Sequence, residues 1–158
     1  MLHSGRCESA VYTVAAAREH RLKAVIYCIC GFQCNGEHRL VASVDDNSVH
    51  VFRVTSDGLS ELEQITVPHA KWSPVTLVGL ANGGFCIGSE FTDPENSELK
   101  HGNELCAANE TGVLSSPRRL MECTNRVELW CHDASTQRII AAEYNSTTAL
   151  RLFHLQQV

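Results

Sequence analysis

No stretch of this 158-residue chain is apolar for long enough to cross a bilayer as a helix. The longest nearly apolar run, Ala24-Val25-Ile26-Tyr27-Cys28-Ile29-Cys30-Gly31-Phe32, spans nine residues, whereas a span needs roughly 20. The opening Met1-Leu2-His3-Ser4-Gly5-Arg6 lacks the charged-then-apolar layout of a secretory leader. The eight cysteines therefore read as reduced thiols rather than a disulfide framework, and the expected compartment is the nucleus or cytoplasm. Cations are not in excess either. Lysine and arginine total 13 against 18 acids, a net charge of −5, which argues against a generic binder of nucleic-acid phosphates. The acids concentrate late: residues 1–60 carry six basic and six acidic side chains, residues 61–158 seven and twelve. Pro117-Arg118-Arg119 holds the only adjacent basic pair, so any contact with nucleic acid is expected to be indirect. There is no Walker loop, no Gly-x-Gly-x-x-Gly, no Gly-x-Ser-x-Gly and no Cys-x2-Cys. No catalytic residue, cofactor or metal ligand is assigned.

What is present is β pattern. Arg39-Leu40-Val41-Ala42-Ser43-Val44 and Val49-His50-Val51-Phe52-Arg53-Val54 flank the polar Asp45-Asp46-Asn47-Ser48, a hairpin signal. Alternation puts Val49 and Val51 on one face, with His50, Phe52 and Val54 on the other. Thr55-Ser56-Asp57-Gly58 reads as a turn, and Leu59 to Val67 as a further strand that Pro68 ends. The pattern recurs near the C-terminus, where Arg138-Ile139-Ile140-Ala141-Ala142 and Leu150-Arg151-Leu152-Phe153-His154-Leu155 repeat the hairpin at offsets of 99 and 101 residues. A weaker copy lies at Val75 to Leu80 and Gly84 to Gly88. Residues 14–24 are rich in helix formers yet lie among strand-like runs, and they fit helix or strand. Thr92 to Asn125 is polar and broken by proline and glycine. It reads as a long insertion with one strand near Glu104-Leu105-Cys106-Ala107.

Recurring hairpins at intervals of tens of residues suggest propeller blades. A blade takes roughly 40–45 residues, and closed propellers have about four to eight. The expected fold is therefore all-β, a single incomplete propeller of about three to four blades over residues 1–158. Its blade-like units fall at about 24–67, 72–110 and 120–158, with the insertion at about 92–125. An incomplete ring should expose inter-blade faces, at Leu40, Val49 and Val51 at one end and at Leu150 and Leu152 at the other. It would then self-associate or take a partner.

Arg39-Leu40-Val41-Ala42, Ser48-Val49, a blade-length gap, Trp72, and Phe85-Cys86-Ile87-Gly88-Ser89-Glu90 follow one another in an order that resembles a WD40-like propeller superfamily. Its members include the damaged-DNA-binding adaptor of cullin–RING ubiquitin ligases, the large subunit of the cleavage-and-polyadenylation factor and the third subunit of splicing factor 3b. The resemblance covers about residues 24–91, and residues 120–155 more loosely, in chains several times longer. It implies a non-enzymatic scaffold in a nuclear multiprotein complex, of the ubiquitin-ligase adaptor or mRNA-processing kind, whose partners are other protein subunits.

Several side-chain groups carry a chemical reading beside a plainer one. Cys28, Cys30, Cys34 and His38 offer a zinc donor set, but reduced cysteines two apart on a strand pack as small hydrophobes. Cys131-His132-Asp133 places a thiol, an imidazole and a carboxylate in sequence, although catalysis needs them converging in space. Asp45-Asp46 and Glu61-x-Glu63 lack the glycine and the alternating oxygens of a calcium loop, and read as solvated turns and strand edges. Arg118-Arg119 reads as a solvent-facing loop pair, and Trp72 as an anchor between blades. The competing function is a lactonase-type propeller hydrolase, which the blade-like segments also resemble.

Overall fold

Valine, phenylalanine and threonine dominate residues 48–55, and Asn47 takes a φ of 63° just before them. That combination yields a tight hairpin between two extended runs. Its arms are β2 (Glu37–Val44) and β3 (Ser48–Thr55), paired from Ser43↔Val49 to Arg39↔Arg53. The turn is held by Asp46, whose Oδ1 accepts from the Ser48 N–H at 3.0 Å and from the Ser48 hydroxyl. Asp46 Oδ2 accepts from the Gln64 amide at 3.1 Å. β1 (Ile26–Cys34) joins on one side of the hairpin and β4 (Gly58–Thr66) on the other, giving an antiparallel meander in the order β1-β2-β3-β4.

The computed structural model describes residues 20–67, 76–81, 83–92, 95, 97–109, 111–123, 127–133, 138–143 and 150–154. Two further antiparallel sheets follow the first. One is β5 (Thr76–Gly79), β6 (Gly84–Thr92), β7 (Leu99–Ala107) and β8 (Arg118–Cys123) in sequence order. The other is β9 (Val127–Asp133), β10 (Arg138–Glu143) and β11 (Leu150–His154). The protein is thus all-β, and no described residue lies in a helix. Residues 20–24 are not helical, while 14–19 lie outside the described residues, as does Trp72. The hairpins expected at 39–54 and 138–155 are both present.

The three sheets stand face to face, and their first strands are neighbours: β1 lies beside β5, and β5 beside β9. Residues of the second sheet are shared between two layers by strict alternation. Leu77, Phe85, Ile87 and Cys106 pack with Phe32, Val41, Val49 and Val51 of the first sheet. Val78, Leu80 and Cys86 pack with Ile139 of the third. Phe85, Cys86 and Ile87 are each 0% exposed, so β6 is buried on both faces and reads as a continuous apolar run rather than an alternating one. The layers close tightly where β1 meets β5. A Cβ added at Gly79 would lie 2.0 Å from the Gly31 carbonyl oxygen, so only glycine lets the two backbones approach this far.

Two sequence expectations are corrected here. Residues 92–125 are not an insertion: β7 pairs along the whole of β6, from Gly84↔Ala107 to Thr92↔Leu99, and β8 pairs with β7. The second sheet therefore runs from residue 76 to 123. Its polar composition misleads because Asn103 and Glu104 are buried, at 3% and 4% exposure, with Glu104 3.4 Å from Arg119 on the neighbouring strand. Nor are Val49 and Val51 on an open face. Both are 0% exposed, because the second sheet covers them.

Candidate functional site

The sheets' turn-bearing end carries the most developed surface. There the end of β1, the start of β2 and the end of β5 enclose a recess of about 620 Å³ that also reaches His132 on β9. Leu40, Val54 and Leu80 supply its apolar wall, while Gln33, His38 and His132 supply polar atoms. His132 is oriented by the turn that follows β5: the Ala81 N–H donates to its Nδ1 at 3.3 Å. The other ring nitrogen, Nε2, is buried with no hydrogen-bond partner. The Gln33 amide lies 3.5 Å from the His38 ring across the β1–β2 pair.

Beside the recess is a smaller polar notch of about 240 Å³, where Asn35 and Gly36 of the first turn meet Ala81 and Gly83 of the second sheet and Asn109. Residues 108–109 and 111–115, which border it, are tied together by hydrogen bonds. Asn109 Oδ1 accepts from the N–H groups of Thr111 and Val113 at 3.0 and 2.9 Å and from the Thr111 hydroxyl at 2.8 Å. The Ala108↔Leu114 bridge closes the loop. Arg39, only 8% exposed, reaches across from β2 and donates from Nη1 to the Gly112 carbonyl at 2.7 Å. Its other contact is Glu37, 3.5 Å away, which also pairs with Arg53. Gly112 has a φ of 82°, a backbone conformation that favours glycine. Nothing in the sequence pattern singles out Arg39 for this role, since an arginine at a strand end ordinarily faces water.

The structure does not bring the proposed zinc donors together. Cys28, Cys30 and Cys34 share the face turned to the second sheet and pack in its layer. His38 pairs with Gln33 in the register and so lies on the opposite face. Six residues of strand also separate Cys28 from Cys34 by roughly 20 Å. Among the described residues no group of three or more histidines, cysteines or acids is placed to hold a metal ion. Burial pushes the thiols of Cys86 and Cys106 up to about 12. Cys30 reaches about 12 by burial and by its neighbours Cys28 and Cys86. At neutral pH all three are protonated thiols, poor nucleophiles and poor metal ligands.

Cys131, His132 and Asp133 are consecutive in β9. Adjacent residues of a strand alternate between faces, and His132 is already taken up by the turn that follows β5. Asp45 and Asp46 are exposed in their turn, as expected, and the Asp46 carboxylate also accepts from Ser48 and Gln64 there; Glu61 pairs with His50 across the sheet. Arg118 and Arg119 belong to β8, not to a loop. Arg118 is exposed, whereas Arg119 reaches the buried Glu104.

An all-β protein of stacked antiparallel meanders with a pocketed, turn-bearing end is the class these observations define. Comparison with known families and with curated proteins finds no matching family model and no relative.

Proposed function

We propose that the chain is a non-enzymatic interaction module built of propeller-type blades, and that its turn-bearing end is the surface it offers to other protein subunits. The observation that carries this reading is the fan of sheets. Three successive meanders set their first strands side by side, and β6 divides its residues between two inter-sheet layers. Blades around a common line are built this way, and they hold their turns at fixed positions. The hydrogen bonds from Arg39 to Gly112 and from Val113 to Asn109 hold residues 111–115 in place and support a binding role. So does a recess that combines apolar walls with a few convergent polar atoms. A place in a nuclear complex of the ubiquitin-ligase or mRNA-processing kind follows from the resemblance of residues 24–91 and belongs to the same proposal. The lactonase-type alternative gains nothing from the recess. Its polar atoms come from two imidazoles, an amide and Arg39, with no carboxylate among the described lining residues.

The test uses Gln33 and His38, both exposed at the recess. Tagged chain is isolated from its own cells after mild cross-linking, alongside a Gln33→Arg, His38→Glu variant. A stoichiometric partner present with the native chain and lost from the variant, whose far-ultraviolet spectrum stays that of β structure, is the expected result. Equal recovery of every partner with both chains refutes this surface. Hydrolysis of a sugar lactone by the purified chain refutes the non-enzymatic reading.

A further inference from the structure

We propose that Ser116 is the acceptor of a proline-directed serine kinase, and that Arg118 holds the phosphate once it is in place. The inference goes beyond the binding reading and does not rest on it.

The chain has two Ser-Pro steps, Ser73-Pro74 and Ser116-Pro117, and only the second leads into arginines, Arg118-Arg119. A kinase of this class reads the proline directly after its acceptor serine and takes the segment in extended form. Proline prepares that form, because it disfavours the helical region for the residue before it. Ser115, Ser116 and Pro117 lie outside regular structure, just ahead of β8, which is the outermost strand of its sheet among the described residues.

The two neighbouring serines differ in what they touch. Ser115 is tied to the end of β7. Its N–H donates to the Ala107 carbonyl at 2.8 Å, and its hydroxyl oxygen accepts from the Ala107 N–H at 3.1 Å. Ser116 is exposed, and its hydroxyl makes no hydrogen bond among the described residues. The Ser116 Oγ is therefore the one that can enter a kinase cleft. There it attacks the γ-phosphorus of ATP, the bond to the β-phosphate oxygen breaks and ADP leaves, while the hydroxyl proton passes to the kinase's aspartate.

The product has a partner at hand. Phosphoserine carries a charge of about −1.5 to −2 at pH 7. Arg118 is exposed and its side chain is in no ion pair among the described residues. Residues two apart on an extended chain turn the same way, so phosphate and guanidinium share a side and can form a two-pronged pair. Arg119 turns the other way, to Glu104 at 3.4 Å.

The purified chain is incubated with a cyclin-dependent kinase and magnesium ATP, beside a synthetic peptide of residues 112–122, and phosphate is located by mass spectrometry. Phosphate on Ser116 is expected, lost in Ser116→Ala and Pro117→Ala and kept in Ser115→Ala. Phosphate on Ser115 instead, or incorporation that stays at the native level in Ser116→Ala, overturns the site. So does a native chain that takes none while the peptide does, as does a failure of both to take it. The Arg118 contact is read by phosphorus NMR. The second ionisation of the phosphate should fall below its ordinary value of about 6 and return to it in Arg118→Gln, because a neighbouring cation favours the dianion. An ionisation unchanged by that substitution overturns the contact. Neither measurement involves the recess, so their failure leaves the binding reading standing, and a failed search for a partner leaves Ser116 standing.

Discussion

Buried thiols give the clearest consequence at the scale of single residues. Cys86 and Cys106 are 0% exposed and their thiols are raised to about 12, by burial first. In the unfolded chain the same thiols ionise near their ordinary value, so between about pH 9 and pH 12 the unfolded state has lost protons that the folded state keeps. The stabilising term is therefore complete below pH 9 and is lost as pH rises through that window. The limit is about 1.4 kcal/mol per pH unit for each thiol. Urea midpoints measured from pH 8 to pH 10.5 should fall, and Cys86→Ala, less stable at pH 8 for its lost packing, should fall less steeply. An equal slope in the two chains would show that other groups govern the alkaline limb. The same thiols should resist alkylation at pH 8 until the protein unfolds.

Strands, turns and their contacts set the next scale, where glycine placement is decisive. Gly79 and Gly31 face each other where β5 crosses β1, but their surroundings differ. An added methyl meets the Gly31 carbonyl oxygen at 2.0 Å from the Gly79 side, yet nothing closer than 3.7 Å from the Gly31 side. Gly79→Ala must push two backbones apart and should cost about 1–3 kcal/mol or more. Gly31→Ala should stay within about 0.5 kcal/mol, as an exposed substitution does. Denaturant titration of both variants checks the contrast, and equal losses would mean that the β1–β5 approach is looser than described. Sequence pattern shows the strands here but not the approach. Val41, Val49, Val51 and Phe52 announce a hairpin through β-branching and the Asp45-Asp46-Asn47 turn, and the repeat at 138–155 follows from the same signal. β7 and β8 stay hidden because Asn103 and Glu104 are buried polar residues and Glu104 pairs with Arg119 across the sheet, a pairing that composition registers only as polarity. The candidate site is less legible still. His132 was visible only as a member of a false triad, and the Arg39–Gly112 clasp joins residues 73 positions apart, a distance no local pattern spans.

For the molecule as a whole, the second sheet is the keystone, because it alone among the three has described residues packed in both layers. Every residue from Phe85 to Ser89 is buried, and the β6 backbone is paired on both sides, to β5 and to β7. β4 stands at the opposite extreme: it is an edge strand with most of its residues exposed or half-buried. Opening β4 costs few buried contacts, whereas opening β6 dismantles both layers at once, so local stability should decline from the middle of the second sheet outward. Native-state hydrogen exchange makes this quantitative. Amides of residues 85–89 should exchange last, at the rate set by global unfolding, and those of β4 from Ser60 to Gln64 should exchange earlier, through local opening. Phe85→Ala, which removes a ring packed 5.6 Å from Phe32, should lower the protection of β6 by about 3–5 kcal/mol. It should leave the early exchange of β4 nearly unchanged, because that opening never reached the layer. If β4 instead lost protection in step with β6, the first sheet would open only with the whole molecule, and stability would be uniform from its edge to its centre.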